Sequence, residues 1–292
     1  MSKTLFTATG CTRCKIAKQF MDERGIPYQE VNIKAGGMSA FRKFYSTNRS
    51  SIIRREDGIE FPVLADGKTI RQGVGVVLAY LVGGTRLDGF FSLGELSQGW
   101  VDGLHVSGGS PSEADTFIEV LDYLKKKGLR LQLDTNGKNA SVLEKLLTRA
   151  LGDRVIMEVL GPLNLYERML GEAVDPREIE KSIALVTKFP EYQFYTTIRP
   201  VQRPGTGEPK VSYLTPEEIT ETAALIEKVT GDKKHPYFLR PFDPEKSGDE
   251  ALRKMEKISP SVMFKYRSAA RKHLVLAELE KGVTPIYRIP SA

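Results

Sequence analysis

Cysteine is scarce. The 292-residue sequence has two, Cys11 and Cys14, too few for a secreted disulfide framework. They also fall short of the three thiolates that a radical-type iron–sulfur enzyme draws from one chain. Histidine is scarce too: His105, His235 and His273 are far apart and far from the cysteines, so a four-ligand zinc site is not visible. Long apolar runs are absent. The longest, Val74 to Val82 with Gly75 included, is well short of the roughly 18 residues of a spanning helix. Met1 to Thr7 lacks the apolar stretch and cleavage site of a secretory signal. The expectation is a soluble, cytoplasmic protein with no membrane partner. Glycine (26) and proline (16) are dispersed, which excludes collagen-like and low-complexity chains. Charge of either sign is not extreme: the net value is +6, which by itself does not imply nucleic acid. No aromatic-interleaved basic platform is present, so no nucleic-acid partner is expected.

What is present is an ordinary α/β pattern, 40% apolar and 27% charged, long enough for two domains. Residues 1–83 read as strand, helix, strand, helix, two short strands, helix. Thr4 to Thr7 is a short apolar run. Ile16, Ala17, Phe20 and Met21 follow at helical spacing up to Arg24-Gly25. Tyr28 to Ile33 alternates as a strand. Phe61 to Ala65 and Lys68 to Arg71 flank Asp66-Gly67, a hairpin pair. Val76 to Leu81 is the last helix before Gly83-Gly84. From Gly103 short strands alternate with helices. Strands are expected at 104–106, 129–133, 155–159, 194–198, 237–239 and 286–289. Helices are expected at 112–127, 140–151, 175–188, 215–230 and 249–281, the last broken at Pro260. Ser112 with Asp115, Asp175-Pro176, Thr215-Pro216-Glu217-Glu218 and Ser259-Pro260 mark helix starts. Such alternation implies a parallel sheet with right-handed crossovers, an open or partial barrel.

Cys11-Thr12-Arg13-Cys14 falls where the first strand meets the first helix. Free N–H groups and the helix dipole there favour a thiolate on Cys11, and Arg13 and Lys15 add positive charge. Cys14, one turn on, can resolve a mixed disulfide formed at Cys11. Half a zinc site, inert core cysteines and a cluster shared between two chains are the competing readings. Arg42, Lys43, Arg49, Arg54 and Arg55 form a basic stretch that either steers an acidic partner or is simply solvated. Arg253 to His273 is also basic, but Val262, Tyr266 and Ala270 are spaced as a packed helix face.

Together with Gly25-Ile26-Pro27-Tyr28, Phe61-Pro62, Asp66-Gly67-Lys68 and Gln72-Gly73, the cysteine motif makes residues 1–83 resemble a glutaredoxin of the thioredoxin superfamily. The resemblance implies that Pro62 is cis and faces the cysteines. It also makes glutathione a candidate reductant, although Thr12-Arg13, Phe61 and Gly73-Val74-Gly75 depart from the family pattern. The form is nearer to redoxins that reduce ribonucleotide reductases.

Ser107-Gly-Gly-Ser-Pro111, Leu131 to Gly137, Val155 to Val159, Phe194 to Ile198 and Leu239 to Pro244 resemble, in that order, the radical S-adenosylmethionine activases. Within that family the likeness is to the activators of anaerobic ribonucleotide reductase and pyruvate formate-lyase. The family's acidic residue after Gly108-Gly109 is Ser110, its lysine after the third strand is Leu160 or Gly161, and its histidine near Pro241-Phe242 is Asp243. Its three cluster cysteines are missing. Gly108, Gly109, Ser110, Asp134 and Asn136 are therefore a vestigial cofactor set, and S-adenosylmethionine is not expected as a cofactor.

The resulting expectation is a thioredoxin-like domain (1–84), a linker (85–102) and a partial (β/α) barrel of the radical S-adenosylmethionine type (103–292). The function expected is thiol–disulfide exchange on a protein partner, a ribonucleotide reductase or related anaerobic enzyme, through Cys11, Cys14 and Pro62, with no bound metal. The alternatives are a non-catalytic scaffold and a metal or cluster carrier. Leu87, Phe90, Phe91, Leu93 and Leu96 give the linker apolar side chains to pack with.

Overall fold

The computed structural model describes residues 3–56, 58–94, 96–97, 99–203 and 210–280. They fall into two compact units, 1–132 and 133–292.

In the first unit, β1 (Lys3–Thr7) leads to α1 (Thr12–Glu23), β2 (Tyr28–Asn32) and α2 (Met38–Thr47). Two short strands, β3 (Arg54–Arg55) and β4 (Gly58–Ile59), precede β5 (Val63–Asp66), β6 (Thr69–Gln72) and α3 (Val74–Gly83). The sheet order is β2-β1-β5-β6. β1 runs parallel to β2 and antiparallel to β5, and β5 and β6 form the hairpin at Asp66-Gly67. This is a thioredoxin-like sheet. Its central strands are apolar because both faces are covered: Leu5, Val63 and Leu64 are fully buried.

After a short antiparallel pair, β7 (Leu96–Ser97) with β8 (Trp100–His105), comes α4 (Ala114–Lys126), which buries Phe117, Ile118, Leu121 and Leu124 completely. The helices of the thioredoxin-like part pack on it. The Phe20 and Tyr123 rings meet edge to face, their centroids 4.7 Å apart. Arg24 lies over the Phe20 ring and reaches Glu119 at 3.0 Å, and Lys127 holds Glu23 at 3.0 Å. Phe90, fully buried, stacks on Phe117 at 4.4 Å, with Leu87 and Phe91 buried beside it. Leu93 is half-buried, and the Leu96 side chain lies outside the described residues.

The remaining elements are β9 (Arg130–Thr135), α5 (Ala140–Thr148), β10 (Arg154–Glu158), α6 (Tyr166–Leu170), α7 (Pro176–Val186) and β11 (Glu191–Ile198). There follow the hairpin β12 (Pro200–Arg203) with β13 (Lys210–Tyr213), then α8 (Pro216–Thr230), β14 (Tyr237–Pro241), α9 (Glu250–Arg253), α10 (Pro260–Ala270) and β15 (Ala277–Leu279). The second sheet has the order β15-β14-β11-β10-β9-β8-β7, and β10, β11, β14 and β15 pair in parallel. It resembles a partial (β/α) barrel. Thr215 and Glu218 form a reciprocal capping box with Pro216 at the first turn of α8, as the sequence pattern demands.

Several expectations are corrected. The helix expected over 249–281 ends at Ala270, because residues 277–279 join the sheet beside 237–239. Val262 is exposed, and Met263, Tyr266, Ala269 and Ala270 form the buried face of α10. Ser112 does not cap α4: a 3₁₀ turn over Pro111–Glu113 comes first, and the Ser112 hydroxyl pairs with that of Ser110 at 2.8 Å. The strand expected at 286–289 lies outside the described residues. Among the described residues no helix is long and apolar enough to cross a membrane.

Candidate active site

Local sequence puts the cysteines at the start of α1. Gly10, at φ +79°, turns the chain out of β1, and Cys11 becomes the helix cap in extended conformation, its sulfur accepting from the Cys14 N–H at 3.1 Å. Cys11 and Cys14 form a disulfide with Cα atoms 5.3 Å apart. The two sulfurs have different surroundings. Cys14 is 2% exposed and belongs to a cluster with Phe6, Phe41, Phe61 and Val63, whereas Cys11 is half-buried at its edge. The Phe61–Pro62 peptide is cis, and Cys11 Sγ lies 3.8 Å from Phe61 O.

The positive charge expected from Arg13 is largely matched. Its Nη1 lies 3.0 Å from Glu60 Oε1, on a carboxylate 11% exposed. Burial raises the Glu60 carboxyl above the usual range, opposed by the Arg13 and Arg55 charges. Glu60 was not legible as a site residue, since its partner is distant in sequence. Lys15 is exposed, as are Arg42, Lys43, Arg49 and Arg54 of the basic stretch. Arg55 is half-buried and donates to Leu93 O at 3.0 Å. The histidines pair elsewhere: His105 with Ser92, His235 with Tyr192 and Thr230, His273 with Glu227. Among the described residues no group of three or more His, Cys, Asp or Glu is arranged to hold a metal.

The vestigial set divides between the two units. In the first, Gly108 and Gly109 are small because another stretch of chain crosses them. A Cβ at Gly108 would meet Gly89 O at 2.1 Å, and one at Gly109 would meet the Phe90 ring at 2.1 Å. In the second, Asn136 Oδ1 accepts from the Lys138 N–H at 3.2 Å, Thr135 Oγ1 accepts from the Gly137 N–H at 3.1 Å, and Asp134 is half-buried. The direction a Cβ would take at Gly108 or Gly109 is filled by residues 89–90, and position 110 carries no acid. Calorimetry with S-adenosylmethionine is expected to show no heat of binding at micromolar protein; low-micromolar affinity would contradict this reading.

A glutaredoxin family model matches residues 4–48. A Methanocaldococcus jannaschii protein named for glycyl-radical enzyme activation is 25% identical over 177 residues, 60% of this chain and 69% of its own length. Among solved structures, a domain of pyruvate-formate lyase-activating enzyme from Bacteroides vulgatus gives a TM-score of 0.42 at 15% identity, covering 61% of this chain and 98% of that one. Coproporphyrinogen III oxidase from Escherichia coli, a radical SAM enzyme, gives 0.38 at 17% identity, covering 59% and 41%. The chain thus combines a segment that matches a glutaredoxin family model with a sequence likeness to a protein named for glycyl-radical enzyme activation.

Proposed function

We propose that this chain is a thiol–disulfide oxidoreductase whose dithiol, Cys11 and Cys14, reduces a disulfide in a protein partner. The observation that carries the reading is the asymmetric cysteine pair at the start of α1, one sulfur capping the helix and the other buried beneath it. In the reduced form the Cys11 thiolate attacks one sulfur of the partner's disulfide. A mixed disulfide forms and one partner thiolate leaves. Cys14 then gives up its proton and attacks Cys11 Sγ, releasing the second partner thiolate. Two electrons pass to the partner, whose two thiolates take up the Cys14 proton and one from solvent, and the Cys11–Cys14 disulfide remains, to be reduced by two equivalents of a thiol such as glutathione or by a dithiol reductase. The Phe61 carbonyl lies 3.8 Å from Cys11 Sγ, and Pro62, joined to Phe61 by the cis peptide, would line the partner's approach.

The boundaries read from the sequence, 1–84 for the redox part and 103–292 for the partial barrel, are retained in this proposal. The likeness to a protein named for glycyl-radical enzyme activation favours a partner from that class of enzyme, an anaerobic ribonucleotide reductase among them. Trapping tests it. A Cys14→Ser variant cannot resolve, so it is expected to accumulate a dithiothreitol-sensitive mixed disulfide with a purified disulfide-containing ribonucleotide reductase, whereas Cys11→Ser is not. Equal trapping by both variants would overturn the assignment of Cys11 as nucleophile.

A further inference from the structure

We infer that Glu60 is a positioning residue for the dithiol: by holding Arg13, the side chain between the cysteines, it sets how much positive charge the Cys11 thiolate experiences. The inference rests on the thiol–disulfide reading above and adds a residue to its site. Glu60 is placed for this by two connections. Through the backbone it precedes Phe61, whose carbonyl oxygen is 3.8 Å from Cys11 Sγ. Through the side chain it pairs with Arg13 at 3.0 Å. The segment between β4 and β5 is itself pinned, because the Gln72 amide, 6% exposed, donates to Glu60 O at 3.2 Å and exchanges hydrogen bonds with Ile53. Glu60 therefore meets Arg13 from a fixed backbone.

Glu60 lines a small half-open hollow with Gly73, Val74, Gly75, Ser92, Val101 and Asp102. The charged groups acting on the carboxylate come from three elements: Arg13 on α1, Arg55 on β3 and Asp102 on β8. Asp102 and burial favour its neutral form, and the two arginines favour its charged form. The chemical consequence has a definite sign. While Glu60 is ionised, the Arg13–Glu60 pair is nearly neutral as seen from Cys11. When Glu60 takes up a proton, the Arg13 charge is uncompensated and the thiolate is stabilised. The two ionisations are therefore coupled. As pH falls, the loss of thiolate is partly offset by protonation of Glu60, and the pH–reactivity curve is shallower than a single ionisation. Because Asp102 belongs to β8, outside the four-stranded sheet, the arrangement also ties the reactivity of the dithiol to the segment that follows the redox domain.

The test is the pH profile of alkylation at Cys11, followed site by site by mass spectrometry on the reduced full-length chain. Glu60→Gln keeps a hydrogen-bond acceptor for Arg13 but removes the charge. It is expected to raise the Cys11 rate near pH 6 by about threefold, given how strongly a close charge biases ionisation, and to sharpen the profile to one ionisation. Arg13→Gln is expected to slow Cys11, and in that background Glu60→Gln should change little, since coupled sites are not additive. Arg13→Gln also breaks the pair from the other side, which keeps the test open if Glu60→Gln fails to fold. A reactive Cys11 with an unchanged Glu60→Gln profile, or the same change in both backgrounds, overturns the role of Glu60. A wild-type Cys11 no more reactive than a free thiol overturns the thiol–disulfide reading itself.

Discussion

Replacing Phe90 with alanine is expected to destabilise the chain by about 3–5 kcal/mol, the usual cost of deleting a buried aromatic ring. Phe90 is fully buried and stacked on Phe117 at 4.4 Å, and its ring also covers Gly109 closely enough that no Cβ fits there. Loss of the ring therefore leaves a cavity bounded by α4 and by the turn at 108–109. Partial collapse is opposed on the α4 side, where Phe117, Ile118 and Leu121 are completely buried and already packed. The effect should spread beyond the 85–102 segment, because α4 also carries the contacts to Phe20 and Arg24 of α1. Chemical denaturation followed by near-ultraviolet circular dichroism and by cysteine accessibility should show both signals moving together to lower denaturant. Val275→Ala, at a side chain 47% exposed, is the control and should stay within about 0.5 kcal/mol. A Phe90→Ala variant as stable as that control would mean that the ring contributes no net packing between the 85–102 segment and α4.

Much of this architecture was readable in advance where the signals are local. Thr215-Pro216-Glu217-Glu218 specifies a helix start by its own chemistry, and the reciprocal hydrogen bonds are formed. Cys11 at a strand-to-helix junction is equally local, and it caps α1. The errors arise where a distant partner decides. Ala277-Glu278-Leu279 favours a helix by composition, yet residues 237–239 supply a parallel ladder that outweighs propensity. Gly108 and Gly109, read as part of a vestigial cofactor set, mark a close approach whose source the sequence does not name. The close approach is there, but the chain itself makes it, through Gly89 and Phe90. Glu60 and Arg13 meet only because the sheet brings residue 60 up to the start of α1. Spacing along the sequence holds no trace of that pair.

In the reduced chain Cys11 is expected to take an alkylating reagent at slightly acidic pH about tenfold faster than Cys14. Two effects act in the same direction. The first is ionisation. In the disulfide form Cys11 Sγ already receives the Cys14 N–H at 3.1 Å at the N-terminus of a twelve-residue helix, and free N–H groups with the helix dipole stabilise a thiolate. Each tenfold gain in thiolate population carries a roughly threefold loss of intrinsic nucleophilicity, so ionisation alone yields a net gain of about threefold per step. The second is access. Cys14 is 2% exposed among Phe6, Phe41, Phe61 and Val63, where its charged form is disfavoured and a reagent must displace packed side chains. Desolvation thus keeps Cys14 a thiol until Cys11 is engaged in a mixed disulfide, which is the order of events that resolution needs. Timed iodoacetamide labelling at pH 6, quenched and mapped by peptide mass spectrometry, reads the ratio directly. Raising the pH should narrow it, since Cys14 then ionises as well. Faster labelling of Cys14, or equal slow labelling of both, would show that the cap at Cys11 does not create the nucleophile.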